Sequence, residues 1–265
     1  MNEILTFLSL HVNELALLCL AAFGAGFIDA IVGGGGLLQT PATLLILPQY
    51  PVASIFGTVK IPSLMGTSVA AYKYAKQVKF NFKVLAICVV AAFLASLMGA
   101  YSVSMINNKV IKPIILVVLV LVAIYTYFNK QFGIHQHKAH SVRKQLLLAG
   151  LFGLIIGFYD GLIGPGTGSF LILVFIGALG FDFVGASAHA KIVNIATNLA
   201  ALIYFSSTGH VLFQYAIPMA IFNILGSFLG AKLALLKGNK FIRIFFLIVV
   251  FGTILRFAYD VFFRS

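Results

Sequence analysis

The stretch GFIDAIVGGGGLLQTPATLLI, residues 26–46, decides the fold. An apolar run carrying one acid, Asp29, meets four consecutive glycines, Gly33 to Gly36, and resumes only as a short piece at 37–47. At about 1.5 Å per residue, that piece reaches about 16 Å, roughly half the hydrocarbon core of a bilayer. The stretch GFYDGLIGPGTGSFLILVFI, residues 157–176, follows the same plan. It has Asp160, then Gly164-Pro165-Gly166-Thr167-Gly168, then a short apolar piece at 169–179. A glycine break at membrane depth leaves backbone polar groups unsatisfied, which is tolerable only around a cavity lined by protein.

Composition puts both stretches in a membrane. Of 265 residues, 61% are hydrophobic and 9% charged, with a mean hydropathy of +1.07. A soluble domain carries about a quarter of its residues charged. Long apolar segments run at 13–32, 52–72, 83–104, 110–128, 145–163, 184–205, 212–236 and 240–262. Each approaches the roughly 20 residues that a span needs. The longest polar stretch is the linker NKQFGIHQHKAHSVRK at 129–144, so no soluble domain is expected. The net charge of +12 sits mostly in short loops, where bases set orientation, and not in a nucleic-acid footprint. Cys19 and Cys88 lie inside apolar runs and read as small buried hydrophobes. The N-terminus has no basic region before its apolar run and carries Glu3 and Glu14, unlike a cleaved signal peptide.

The second half of the chain copies the first at a constant offset of 131. Gly26, Phe27 and Asp29 map to Gly157, Phe158 and Asp160, and Gly33 and Gly35 map to Gly164 and Gly166. Lys60-Ile61 maps to Lys191-Ile192, and Ser96, Gly99 and Ala100 map to Ser227, Gly230 and Ala231. The organisation is therefore a first transmembrane repeat at 1–130, a basic linker at 131–144 and a second repeat at 145–265. Each repeat has four long helices and one short half-helix after a glycine-rich break. Basic residues cluster at Lys73, Lys76, Lys79 and Lys83, in the linker, and at Lys232, Lys237, Lys240 and Arg243. If each half-helix counts as a crossing, the repeats are inverted and all three clusters fall on the cytoplasmic side, with the N-terminus outside. The expected fold is thus an all-α membrane protein of two inverted repeats.

Inverted repeats with interrupted helices are a recurrent plan of secondary transporters. Each half-helix start presents backbone N–H groups and a positive dipole end, and two such starts facing one site favour an anion. The candidate substrate-binding residues at the breaks are Gly34, Gly35, Gly36, Gln39, Gly166, Thr167, Gly168 and Ser169, with Thr40 a further hydroxyl donor. Gly24, Gly99, Gly226 and Gly230 read instead as helix-packing glycines. Neither cluster continues as a phosphate-binding P-loop, because Gly-Lys-Ser/Thr is missing.

Ionisable residues inside spans are costly and point to function. Lys60 and Lys191 are such residues, and two readings stand: they attract substrate, or they pair structurally with Asp29 or Asp160. The two aspartates read as structural partners, with proton carriage for coupling as the alternative. The polar helix SAHAKIVNIATN, residues 187–198, sets Lys191, Asn194 and Asn198 near one face. The equivalent GTVKIPSLMGT, residues 57–67, keeps the lysine and loses both asparagines, so an asymmetric site is expected. His189 reads as a core residue before a proton carrier. His135, His137 and His140 read as polar linker and not as a metal site, and Arg256 with Asp260 reads as an interfacial ion pair.

With AHAKIVNIATNLAAL at 188–202 added to the two glycine stretches, the chain resembles the TauE/SafE family of bacterial membrane proteins. That family is described as exporting sulfite or organosulfonates. The likeness covers nearly the whole chain, both repeats included. It implies a permease of the bacterial cytoplasmic membrane for small, often sulfur-containing anions, without fixing the substrate. The motif positions carried over are Asp29, Gly33 to Gly36 and Lys60, then Asp160, Gly164, Gly166, Lys191, Asn194 and Asn198. Pro62 departs from the pattern, where polar residues are more usual, and leaves the first-half contribution open.

The resulting expectation is a secondary transporter of a small anion by alternating access, with no cofactor. H+ or Na+ is the candidate coupling ion, and the oligomeric state stays open. The alternatives are an anion channel or a transporter of a different small metabolite. An enzyme is not expected, since neither HExxH nor GxSxG occurs.

Overall fold

Glycine, proline and capping residues set the helix boundaries. The structure, a computed structural model, describes residues 12–103 and 141–263. Helix α1 (Val12–Val32) stops at Gly33, whose φ of +75° only glycine adopts without strain. The half-helix α2 (Gly36–Ile46) follows, and α3 (Val52–Ala75) begins directly after Pro51. Helix α4 (Phe82–Ser102) is capped by the Asn81 side chain, and α5 (Val142–Leu162) runs into the second glycine break. Then come the half-helix α6 (Thr167–Gly177), α7 (Phe183–Ser207), capped by Asp182, and α8 (Phe213–Phe263), interrupted at Gly238. The expected segment at 110–128, the linker histidines His135, His137 and His140, and the side chains of Arg256 and Asp260 lie outside the described residues.

Among the described residues the fold is helical throughout, and five helices are long and apolar enough to cross a membrane. They are Val12–Val32, Val52–Ala75, Phe82–Ser102, Val142–Leu162 and Phe213–Ile242. The 25-residue α7 is long enough but more polar, and its polar residues explain where it sits. Ser187, His189, Lys191, Asn194, Thr197 and Asn198 are all buried, so α7 is packed inside the bundle. The outer helices turn Leu20, Val90, Leu94, Met98, Leu147, Leu151, Ile217 and Ile221 outward, as a lipid-facing surface requires.

The packing crosses between the halves. Helix α1 packs on α8, and α4 packs on α5. Their contacts recur at the offset of 131. Gly26 lies against the Asn223 carbonyl, and Gly157 against the Ala92 carbonyl. Gly230 lies against the Phe27 carbonyl, and Gly99 against the Phe158 carbonyl. At each of these glycines a methyl would overlap the neighbouring backbone. Such close approach gains dispersion contact where lipid supplies no hydrophobic drive between helices.

Capping contacts recur in the same way. The Leu212 amide donates to Thr58 Oγ1 (2.9 Å), whose hydroxyl donates to the Ser54 carbonyl. At positions 131 away, the Asn81 amide donates to His189 Nε2 (3.0 Å), and His189 Nδ1 bonds the Gly185 carbonyl (2.8 Å).

The two ends of the bundle differ in charge. At one end Lys73 Nζ stands 3.2 Å from the Phe228 ring centroid. Asn239 there bonds Asp182 (3.1 Å) and the Val184 amide (2.9 Å). Arg143, at the start of α5, shares a surface groove with Ile87 near the start of α4. The basic stretches 73–83, 143–144 and 232–240 therefore gather at that end. At the other end Tyr215 bonds Glu14 (3.3 Å), and the Tyr215 ring meets Tyr50 edge-on at 6.0 Å.

Candidate functional site

The two glycine breaks meet. The Ser169 amide donates to the Gly33 carbonyl (3.1 Å), and the Ser169 hydroxyl donates to the Val32 carbonyl (2.9 Å). Gly33 and Gly168 are in backbone contact, and Gly36 lies beside Pro165. Around this crossing is a cavity of about 30 Å³. Its polar wall includes Asp29, Thr40, Lys60, Ser63, Asp160, Thr167, Asn194 and Asn198, with glycines from both breaks. Gly36 and Gly168, each in the first turn of a half-helix, line it, and their amides have no backbone partner among the described residues. These are donors of the kind that hold an anion at a helix start.

The buried lysines cross between the halves, and they do so symmetrically. Lys60 Nζ on α3 donates to the Asp160 carbonyl (3.0 Å), and Lys191 Nζ on α7 donates to the Asp29 carbonyl (2.6 Å). The symmetry stops at the carboxylates. Lys60 also pairs with Asp160 Oδ1 at 3.2 Å, with both residues almost fully buried. Asp29 Oδ2 instead accepts from Thr67 (3.0 Å). Asp160 Oδ1 additionally accepts from Thr167 (2.8 Å), whose hydroxyl also lies 2.7 Å from the Gly164 carbonyl.

Of the residues named from sequence, Gly36, Lys60, Gly166, Thr167, Gly168, Asn194 and Asn198 line the cavity, together with Asp29 and Asp160. Gly34 and Gly35 belong to the same break but fall outside the wall, and Gly35 packs on α1 at Ala25 and Asp29. Gln39 turns away to α8, where it accepts from Asn223 Nδ2 (3.0 Å). Ser169 is used in the crossing itself. Lys191 sits behind the wall, with the Tyr74 ring at 5.7 Å. His189 is held remote from the cavity among Phe80, Phe175 and Phe181. Nε2 accepts and Nδ1 faces a carbonyl, which requires the neutral Nδ1–H tautomer.

Two contributors were not named from sequence: Ser63, in the wall, and Thr67, which bonds Asp29. The offset of 131 pairs Ser63 with Asn194 and Thr67 with Asn198, so the repeat itself carried the signal for both. Asn198 Nδ2 bonds Asn194 Oδ1 (3.0 Å), which fixes the amide orientations on α7. The asymmetry expected between the halves is therefore one of size and amide chemistry, since both halves supply polar side chains.

The family model described as "Sulfite exporter TauE/SafE" matches residues 18–257. The chain belongs to the TauE/SafE family. A "Probable membrane transporter protein" of Haemophilus influenzae is 34% identical over 96% of this chain and 98% of its own length. The "Probable membrane transporter protein ORF9" of Sinorhizobium sp is 33% identical over 93% of each chain. The "Probable membrane transporter protein YfcA" of Escherichia coli K12 is 30% identical over 93% of this chain and 90% of its own. No solved structure matches the chain. As a TauE/SafE protein with five spans among its described residues, it is a multi-pass membrane protein of a transporter family.

Proposed function

We propose that this protein is a secondary transporter that moves a small anion, sulfite or an organosulfonate in the first place, by alternating access between two inverted repeats. The observation that carries this reading is the convergence of both half-helix breaks and a buried lysine on one cavity. Dipole ends, unbonded amides and an ammonium group at a protein-lined break all favour negative charge. Asn194 and Asn198 orient the anion through their amides, and Thr40 supplies a hydroxyl. The family's description as a sulfite exporter supports a sulfur oxyanion.

The inverted arrangement is supported by two sets of contacts. Packing, capping and lysine contacts all recur at the offset of 131 with the halves exchanged. Helix α1 starts at the end holding Glu14, while its equivalent α5 starts at the end holding Arg143. The concentration of bases at one end favours the cytoplasmic side for that end, placing the linker at 129–144 inside and Glu14 outside. The breaks at Gly33 and Gly164–Gly166 then act as flexible points about which one repeat rocks against the other.

The test is thermal stabilisation of the detergent-purified protein across sulfite, thiosulfate, sulfate, sulfoacetate, taurine, acetate and chloride. A binder raises the melting temperature by mass action. A selective shift by a sulfur oxyanion supports the reading, and a flat panel removes it. Concentrative uptake into proteoliposomes separates a transporter from a channel, which only equilibrates its ion.

A further inference from the structure

Asp160 has two oxygens in very different situations. Oδ1 accepts from Thr167 (2.8 Å) and pairs with Lys60 (3.2 Å). Oδ2 is buried and has no partner among the described residues, in a side chain that forms part of the cavity wall. Residue Asp160 as a whole is only 2% exposed. A buried acceptor left without a donor is costly, and a bound water, ion or proton is among the few things that offset that cost.

The charges around the cavity raise the same question. Asp29 and Asp160 face Lys60 in the wall, and Lys191 stands behind Asp29, so two acids balance two bases. An arriving anion would place an uncompensated charge next to a carboxylate in a buried site. The other groups around Asp160 offer no countercharge. Thr167 on α6 and Asn194 and Asn198 on α7 are neutral, and the Tyr159 hydroxyl donates to the Pro165 carbonyl (2.6 Å).

Resting on the anion-transport reading of this cavity, we propose that the coupling ion is a proton carried on Oδ2 of Asp160, one with each anion. The proton fills the vacant acceptor, neutralises the carboxyl group and dissolves the ion pair with Lys60. The bond from Lys60 to the Asp160 carbonyl survives protonation and keeps the ammonium at the cavity. The anion then replaces the carboxylate as the counter-ion of Lys60. After the anion leaves on the far side, Asp160 returns its proton to water there and pairs again with Lys60. Only an O–H bond forms and breaks.

The experiment uses the whole purified protein in weak buffer with a pH-sensitive dye, and methanesulfonate, a singly charged sulfonate, as the probe. Close to one proton should be taken up per methanesulfonate bound at alkaline pH. Where one proton enters with each anion, linkage makes methanesulfonate affinity weaken about tenfold per pH unit. Exchanging Na+ for K+ should change neither. Asp160→Asn should take up no protons, and its affinity should no longer vary with pH. The wild-type proton count stands by itself should that variant fail to fold. Binding without proton uptake, a Na+ requirement, or uptake that survives in Asp160→Asn and vanishes in Asp29→Asn would each overturn proton coupling at Asp160. Those results leave the transport reading standing, whereas failure of every anion in the panel to bind removes both.

Discussion

Gly33 and Gly168 touch backbone to backbone, so the two half-helix breaks form one crossing point. A methyl on Gly168 would meet the Gly33 carbonyl and Cα, neither of which can swing aside as a side chain does. Gly168→Ala is expected to cost about 1–3 kcal/mol by overpacking, read as a lower melting temperature in detergent. Gly150→Ala is the control: its methyl would make only ordinary contact with Ile87, so it should be nearly neutral. Equal effects from the two would remove the crossing as a structural constraint.

The Lys60–Asp160 pair gives a second test. Lys60→Met alone leaves a buried carboxylate without its partner, which typically costs about 3–5 kcal/mol. Adding Asp160→Asn removes the stranded charge and should recover most of that stability. The double variant should still fail to transport. Additive losses in thermal unfolding would mean that the two side chains do not act as a unit.

Lys60 and Lys191 are equivalent in sequence but not in position. Only Lys60 lines the cavity, while Lys191 holds the Asp29 carbonyl from behind. Lys60→Gln should abolish stabilisation by a bound sulfonate. Lys191→Gln should bind the same probe and transport it slowly, because it loosens the α1 break. Matching loss of binding in both variants would return Lys191 to the binding wall.

The placement of the loops can be checked by labelling. Cys19 and Cys88 are buried, so background reaction with a membrane-impermeant maleimide should be low. His210→Cys should label in intact cells, and Lys79→Cys only in inverted vesicles. Lys79 is exposed and His210 is partly exposed. Labelling of both from one side would contradict the inverted arrangement.

His189 accepts the amide that starts α4, as Thr58 does for α8. Loss of that acceptor in His189→Ala should cost about 1–3 kcal/mol of stability. The pH dependence of anion binding should stay as in the wild type. A changed pH profile would give His189 a part in proton handling.

Much of this was legible in the sequence because glycine breaks and buried charges are rare in membrane helices and each has few physical explanations. The breaks at Gly33–Gly36 and Gly164–Gly168 announced the half-helices, and the offset of 131 matched Lys60 with Lys191. Helix rotation was not legible. Gln39 is three residues beyond Gly36 on a half-helix, yet it faces Asn223 of α8 and not the cavity. With Gln39, Thr40 and Thr43 spread around an 11-residue helix, the pattern does not single out one face. Ser63 and Thr67 looked like the loss of two asparagines, although the repeat places them at the equivalent positions. Small hydroxyl residues are common enough in membrane helices to pass for packing.

The crossed pairing has a consequence for how the chain is made. Lys60 finds its partner 100 residues later in the sequence. At about 5–20 residues per second of synthesis, its ammonium waits roughly 5–20 s for Asp160 to emerge. Helix α1 waits longer still for the surface of α8 that covers its glycines. The amino-terminal half is thus an incomplete object during biogenesis, dependent on the insertion machinery to hold it until the other half arrives. Fragments 1–140 and 141–265 made together in one cell should find each other in the bilayer, while either made alone should be degraded.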